Sequence, residues 1–257
     1  MEILYFLIAI ISTIIGSAAG IGGGVIIKPA LDALSKYSLP TVNLLSSSTI
    51  FIMSIVTVFY QLKKKNKINS KNTIIVAIGS IIGGVIGQKV MTLLTSSRIN
   101  INIINNVQSV MLIILLLIVF IYMKNKSSIK TYNINNITLV GLLGLFLGAI
   151  SAFLGIGGGP MNVAAFTILF SMSANEAARN SIIVIFFSQG SKILSIALTT
   201  GFSNYKLEML PIMLTGGVLG GIIGYRLNKS VSEKNIVKVF NTVLIAIVIL
   251  NVYNIFK

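Results

Sequence analysis

Gly20-Ile21-Gly22-Gly23-Gly24 recurs as Gly155-Ile156-Gly157-Gly158-Gly159, and each run interrupts a stretch otherwise apolar enough for lipid. Contiguous glycines reach left-handed backbone angles and let a ligand approach the main chain. Such a break exposes peptide N–H and C=O groups that lipid cannot satisfy, so it survives only where protein or a water-filled cavity surrounds it. Short apolar segments begin directly after the glycines, at Val25 and Pro160. Their first N–H groups are free and carry the positive end of a helix dipole. Pro160 gives up an N–H that a helix would not use there. Two such ends converging on a cavity make an anion site without a full buried charge. Gly20, Gly22, Gly23, Gly24, Gly155, Gly157, Gly158 and Gly159 are therefore candidate substrate contacts. The competing reading is tight helix packing, although packing glycines recur every fourth residue and do not stand together.

Polar residues follow each break. Ser46, Ser47, Ser48 and Thr49 enter a long apolar segment of the first half, and Arg179, Asn180 and Ser181 hold the comparable place in the second. Their hydroxyls and amides can donate to an oxyanion, or they can bond between helices and back to the carbonyl four residues earlier. Ser46, Ser47, Asn180 and Ser181 join the candidate set. Gln189 and Lys192 lie deeper in the same second-half segment. A lysine within the bilayer costs about 2.5–3.5 kcal/mol on insertion scales and is by default a functional hypothesis; the alternative is that it snorkels to the nearer interface. Lys28 offers a second cation, unless Asp32, one turn on, pairs with it.

Absences narrow the chemistry further. The chain has no His, Cys or Trp and five acidic residues, none deep in a long apolar segment. A G-x-x-x-x-G-K-[ST] phosphate loop and a G-x-S-x-G elbow are both missing, and H-E-x-x-H is impossible. A paired intramembrane carboxylate for proteolysis or proton relay is likewise lacking. The expectation is a protein that is not an enzyme and takes no cofactor and no metal. Any interfacial aromatic belt must use Tyr and Phe.

The surrounding elements are those of a membrane bundle. Of 257 residues, 55% are hydrophobic and 10% charged, against roughly 25% charged in soluble domains. The expected class is an all-α integral membrane protein. Residues 1–20 could pass for a signal peptide, but they lack a basic start, and the same apolar-then-glycine pattern recurs at Thr138–Gly159. They read as a retained first helix. Apolar runs cover 3–19, 25–36, 41–61, 72–96 and 101–123, then 137–154, 160–172, 175–200, 205–228 and 233–256. A spanning helix needs about 20 residues, so the second run of each half is a half-helix. This gives two homologous halves of about five segments each: eight long helices plus two short broken ones. The first repeat is 1–123, a basic linker is 124–136, and the second repeat is 137–257. Gly79, Gly83, Gly84 and Gly87 fall on Gly216, Gly220, Gly221 and Gly224, Lys89 on Arg226, and Asn106 on Asn241. The Gly-x-x-x-Gly spacing within these sets, and at Gly144 and Gly148, predicts ridges for close helix contact. Ser173–Glu176 and Ser230–Glu233 fit capping boxes, and Pro40 and Pro211 sit near helix starts.

Charge orients the bundle. The net charge is +15, with Lys63, Lys64, Lys65, Lys67 and Lys71 in one loop, Lys124, Lys126 and Lys130 in the linker, and Arg226, Lys229 and Lys234 against Glu233 in the loop 226–234. No basic helix or aromatic stacking set accompanies them, so no nucleic acid is expected. Basic loops remain cytoplasmic. Holding all three on one side needs an odd number of crossings per half, which favours inverted repeats. If both short segments merely dip into the membrane, the repeats become parallel.

Gly16-Ser-Ala-Ala-Gly-Ile-Gly-Gly-Gly24 and Gly148-Ala-Ile-Ser-Ala-Phe-Leu-Gly-Ile-Gly-Gly-Gly-Pro160 resemble the duplicated motif of the sulfite exporter TauE/SafE family, also called the toluene-sulfonate uptake permease family. The resemblance covers nearly the whole chain; the run Leu44-Leu45-Ser46-Ser47-Ser48 departs from the small residue plus Thr-Ser more frequent in relatives. It implies a multi-pass permease of the cytoplasmic membrane for small sulfur anions such as sulfite, sulfonates or sulfoacetate. The motif glycines would form its central loops, with Ser46 or Ser47 and Asn180 or Ser181 as the polar positions after each break. The expected function is secondary transport by alternating access at the paired breaks. A passive anion channel and a membrane subunit of a larger complex are the alternatives. The partners expected are a small anionic substrate, membrane lipid, and a proton or Na+ as the candidate coupling ion; the sequence does not encode oligomeric state or transport direction.

Overall fold

A computed structural model describes residues 1–34, 36–63, 70–125, 130–230 and 232–256. Ten helices, and no strands, occur among the described residues: α1 Glu2–Ala19, α2 Gly24–Leu34, α3 Leu39–Lys63, α4 Ser70–Ser96, α5 Ile101–Lys124, α6 Ile137–Leu154, α7 Gly159–Leu169, α8 Ala174–Thr199, α9 Leu210–Ser230 and α10 Glu233–Phe256. Eight are long and apolar enough to cross a membrane. The other two, α2 and α7, have 11 residues each. Each directly follows a glycine break, as the half-helix reading expects.

Local chemistry sets the boundaries. Ser173 accepts from the Glu176 N–H while the Glu176 carboxylate accepts from the Ser173 N–H, closing a capping box at α8. Asn100 and Asn136 cap α5 and α6 with their side-chain oxygens. At the expected second box, the Ser230 hydroxyl donates back to the Arg226 and Leu227 carbonyls of α9. Val231 and the side chain of Glu233 lie outside the described residues, as do Lys64, Lys65, Lys67 and Lys126 and the side chain of Lys229. The largest boundary difference is at α9, which starts at Leu210, later than the expected 205. Gly201, at φ 65, ends the α8 turn, and Pro211 occupies the second residue of the new helix.

The glycine ridges fix the helix pairs. Gly216, Gly220 and Gly224 of α9 press in turn on Ala9, Thr13 and Ser17 of α1. Gly79, Gly83 and Gly87 of α4 press on Gly141, Leu145 and Ala149 of α6, and Gly144 and Gly148 return the contact on Val76 and Ser80. A Cβ at most of these ridge positions would enter a facing backbone carbonyl. Both pairs join a helix of the first half to one of the second, and because the residue numbers rise together, both run parallel.

Further contacts extend the directions. Gly217 and Gly221 of α9 face Thr49 and Met53 of α3, and Tyr225 stacks on Tyr60, so α3 runs with α9 and α1. Thr73 bonds Asn180 at 2.8 Å and Gly84 meets Ser188, so α8 runs with α4 and α6. Ser47 meets Lys192 while Phe51 stacks on Phe186, which makes α3 and α8 antiparallel. Hence α1, α3 and α9 run one way and α4, α6 and α8 the other. Between α1 and α3 the chain must return through α2, and between α6 and α8 through α7. Lys63, Lys124 and Arg226, near the ends of α3, α5 and α9, therefore share one face of the bundle with the linker residue Lys130.

Gly83→Leu should force α4 off α6. Overpacking of this kind costs about 1–3 kcal/mol and lowers a melting midpoint by about 2–12 °C in a chain of this size. Thermal unfolding of the detergent-purified protein should show that fall; an unchanged midpoint would mean the ridge is not closely packed.

Candidate anion-binding site

Both breaks are real turns of the chain. α1 ends at Gly20 and α6 at Gly155, with φ of 74° and 68°, and Gly22, Gly23, Gly157 and Gly158 are also left-handed. All residues of both runs are buried. The two loops touch: a Cβ on Gly24 would strike the Ile156 carbonyl, and one on Gly159 would strike the backbone of Ile21. Gly22 and Gly157 both lie against Ile50 and Ile185, which sit near the midpoints of α3 and α8. The breaks thus meet at mid-depth. The Ser181 hydroxyl lies 2.7 Å from the Gly20 carbonyl, to which it donates, and 3.4 Å from that of Gly159.

Beside this junction a cavity of about 290 Å³ opens between the start of α3 and the ends of α4 and α8, on the face opposite the basic loops. Its wall includes Ser38, Asn43, Gln88, Thr92, Thr95 and Tyr205, and Lys192 lies in its floor. Lys192 is 1% exposed and donates to the Ser47 hydroxyl at 2.9 Å. No carboxylate among the described residues pairs with it, so this buried amine lines the cavity with one neutral hydrogen bond. Asn43 is 3% exposed, and neither oxygen nor nitrogen of its amide has a partner among the described residues. Asn43 also abuts Gly155, so one side chain links the cavity wall to the glycine loops. An unmade buried hydrogen bond costs about 1–3 kcal/mol, and a bound anion beside Lys192 would relieve that cost at the amide donor.

The sequence-derived candidates divide into three groups. Lys192 lines the cavity, and Ser47 holds its ammonium. The eight glycines, Ser46, Ser181 and Gln189 are buried outside the cavity lining: Gln189 donates to Ser151 at 3.1 Å, and neither Ser46 nor the Gln189 oxygen has a partner among the described residues. Asn180 is committed elsewhere, accepting from Thr73 and donating to the Glu176 carbonyl at 2.8 Å. Lys28 is paired with Asp32 at 2.8 Å, as the one-turn spacing allowed, and is not in the cavity wall. Sequence reading missed Asn43, Gln88 and Thr92. The signal available for Gln88 and Thr92 was their one-turn spacing in the second half of α4, Gln88 donating to Thr92 at 3.2 Å; Asn43 on α3 carried none.

The chain matches the sulfite exporter TauE/SafE family over residues 5–251. It belongs to that family. It is also similar to the probable membrane transporter protein YunE of Bacillus subtilis (strain 168), at 27% identity over 264 aligned residues covering 95% of each chain. No solved structure matches it significantly. Like other family members it is a multi-pass membrane protein of the transporter type.

Lys192→Gln removes the charge and keeps a donor. A hydrogen bond to a charged group is worth about 1.5–3 kcal/mol, so an oxyanion that enters this cavity in the purified protein should bind roughly 10- to 100-fold more weakly. Unchanged affinity in calorimetry would show that Lys192 does not face the anion.

Proposed function

We propose that the protein is a secondary transporter of small anions, with sulfur oxyanions or organosulfonates such as sulfite or sulfoacetate as its substrates. The observation that carries this reading is the buried Lys192 amine in the wall of the cavity, with no carboxylate partner among the described residues and with Ser47 and Asn43 beside it. One cation ringed by hydroxyls and amides suits a small anion with several oxygens. Family membership supports the substrate class, since the family takes its name from sulfite export.

The cavity stops at the glycine junction, which favours a carrier over an open channel. Substrate in the floor would lie against Asn43, and Asn43 against Gly155. A shift of one helix set against the other would bring the loop N–H groups and the free hydroxyl of Ser46 to bear on the same anion. The opposed directions of α1 and α6 support reading residues 1–123 and 137–257 as inverted repeats joined by the linker 124–136. By the preference of Lys and Arg for the cytoplasmic side, the open cavity faces outward. Uphill movement would draw on a proton or Na+ gradient.

Counterflow in proteoliposomes tests the reading. Vesicles loaded with unlabelled sulfite should accumulate labelled sulfite faster than unloaded vesicles, and sulfonates should compete. Absence of exchange with every sulfur oxyanion and sulfonate tried would overturn the substrate class. Currents far above carrier turnover would make the protein a channel.

A further inference from the structure

The face carrying the basic loops holds a sealed counterpart of the cavity. Gln61, in the last turn of α3, is 1% exposed, and both polar atoms of its amide lack partners among the described residues. One turn deeper on the same face, Thr57 donates to the Met53 carbonyl at 2.8 Å and lies 3.0 Å from the Ser17 hydroxyl. Tyr60 stacks on Tyr225 with ring centroids 5.7 Å apart, and Asn228 donates to the Ala18 carbonyl at 2.6 Å. Buried polar side chains thus line this seam, with Thr57 and Gln61 at 1% exposure and Asn228 at 6%.

Laying Gly20 on Gly155 puts Thr57 on Lys192 and Gln61 on Ile196, and laying Gly79 on Gly216 puts Gln88 on Tyr225. Lys192, Ile196 and Gln88 all line the open cavity. Helix contacts differ between the two faces at the matching place. α8 packs on α1 and on α10, whereas the equivalent pairs, α3 with α6 and α3 with α5, are in marginal contact at most. The same seam is shut on one face and parted on the other.

We propose that Thr57, Gln61, Tyr225 and Asn228 wall a second vestibule, which opens to the basic-loop face when the Asn43–Lys192 cavity closes. This rests on the reading of the protein as an alternating carrier. In that state the Gln61 amide gains water and the passing anion as partners, which accounts for a buried amide that has none among the described residues in the outward-open form. The shut seam is stable because Ser17, Thr57 and Asn228 are already bonded, so Gln61 is the group that favours opening.

The chain contains no cysteine, so single substitutions report alone. Gln61→Cys in vesicles should react with a membrane-impermeant methanethiosulfonate from the basic-loop face, and Thr92→Cys from the opposite face. In the double variant, first modifying Thr92→Cys with a bulky maleimide wedges the outer cavity open, and the Gln61→Cys reaction should slow at least tenfold. If Gln61→Cys does not fold, Thr57→Cys takes its place. Reaction from the same face as Thr92→Cys, rates indifferent to the wedge, or no reaction at either inner position would overturn the second vestibule. None of these readouts needs transport: wedge-sensitive labelling without sulfite exchange would sink the substrate reading and leave the vestibule standing.

Discussion

A peptide group inside a bilayer must find its hydrogen bond within the protein, and everything about this fold follows from meeting that demand at two places where helices stop. The breaks at Gly20–Gly24 and Gly155–Gly159 are covered by each other, by Ile50 and Ile185, and by the Ser181 hydroxyl. Neither could stand alone against lipid. Their contact is so close that Gly24 and Gly159 have no room for a methyl group. Glycine is required there for two separate reasons, backbone angle in the turns and space at the crossing.

The long helices exist to hold that crossing at mid-depth. Parallel ridges bring α9 onto α1 and α4 onto α6, and α3 and α8 then clasp the loops from both sides. The tightness of these pairs contrasts with the looseness at the start of α3, where the polar cavity enters. A cation tolerated at that depth, with a serine for its partner, is costly unless something anionic visits. Rigid close packing and a costly buried charge are thus complementary: the first fixes the geometry in which the second can be used.

Much of this was legible in the chain. Repeated glycines, the four-residue ridges, the capping box at Ser173 and the isolated Lys192 all carry local signals whose physics does not depend on the rest of the fold. The half-helices α2 and α7 were visible because the apolar runs 25–36 and 160–172 are too short to span a bilayer, which takes about 20 residues. What stayed hidden were contacts made by ordinary residues. Asn43 and Gln88 look like any helix-end amide until α3, α4 and α8 are assembled. Asn180 looked equivalent to the serines of α3, yet Thr73 claims its oxygen across the α4–α8 contact. The start of α9 was read too early because Leu207 and Met209 are apolar, although the chain there packs as turns below Tyr5, Ala9 and Met213.

The parallel ridges also bear on how such a chain can be assembled. Each ridge on one half finds its seat on the other, α4 on α6 and α9 on α1. While the ribosome has delivered only α1 to α5, the α4 ridge is bare and α1 lacks its cover. Completion of the tertiary structure must therefore wait for the second half to emerge. Helices α1 to α5 alone leave both seats unfilled, since each needs a helix from the later part of the chain.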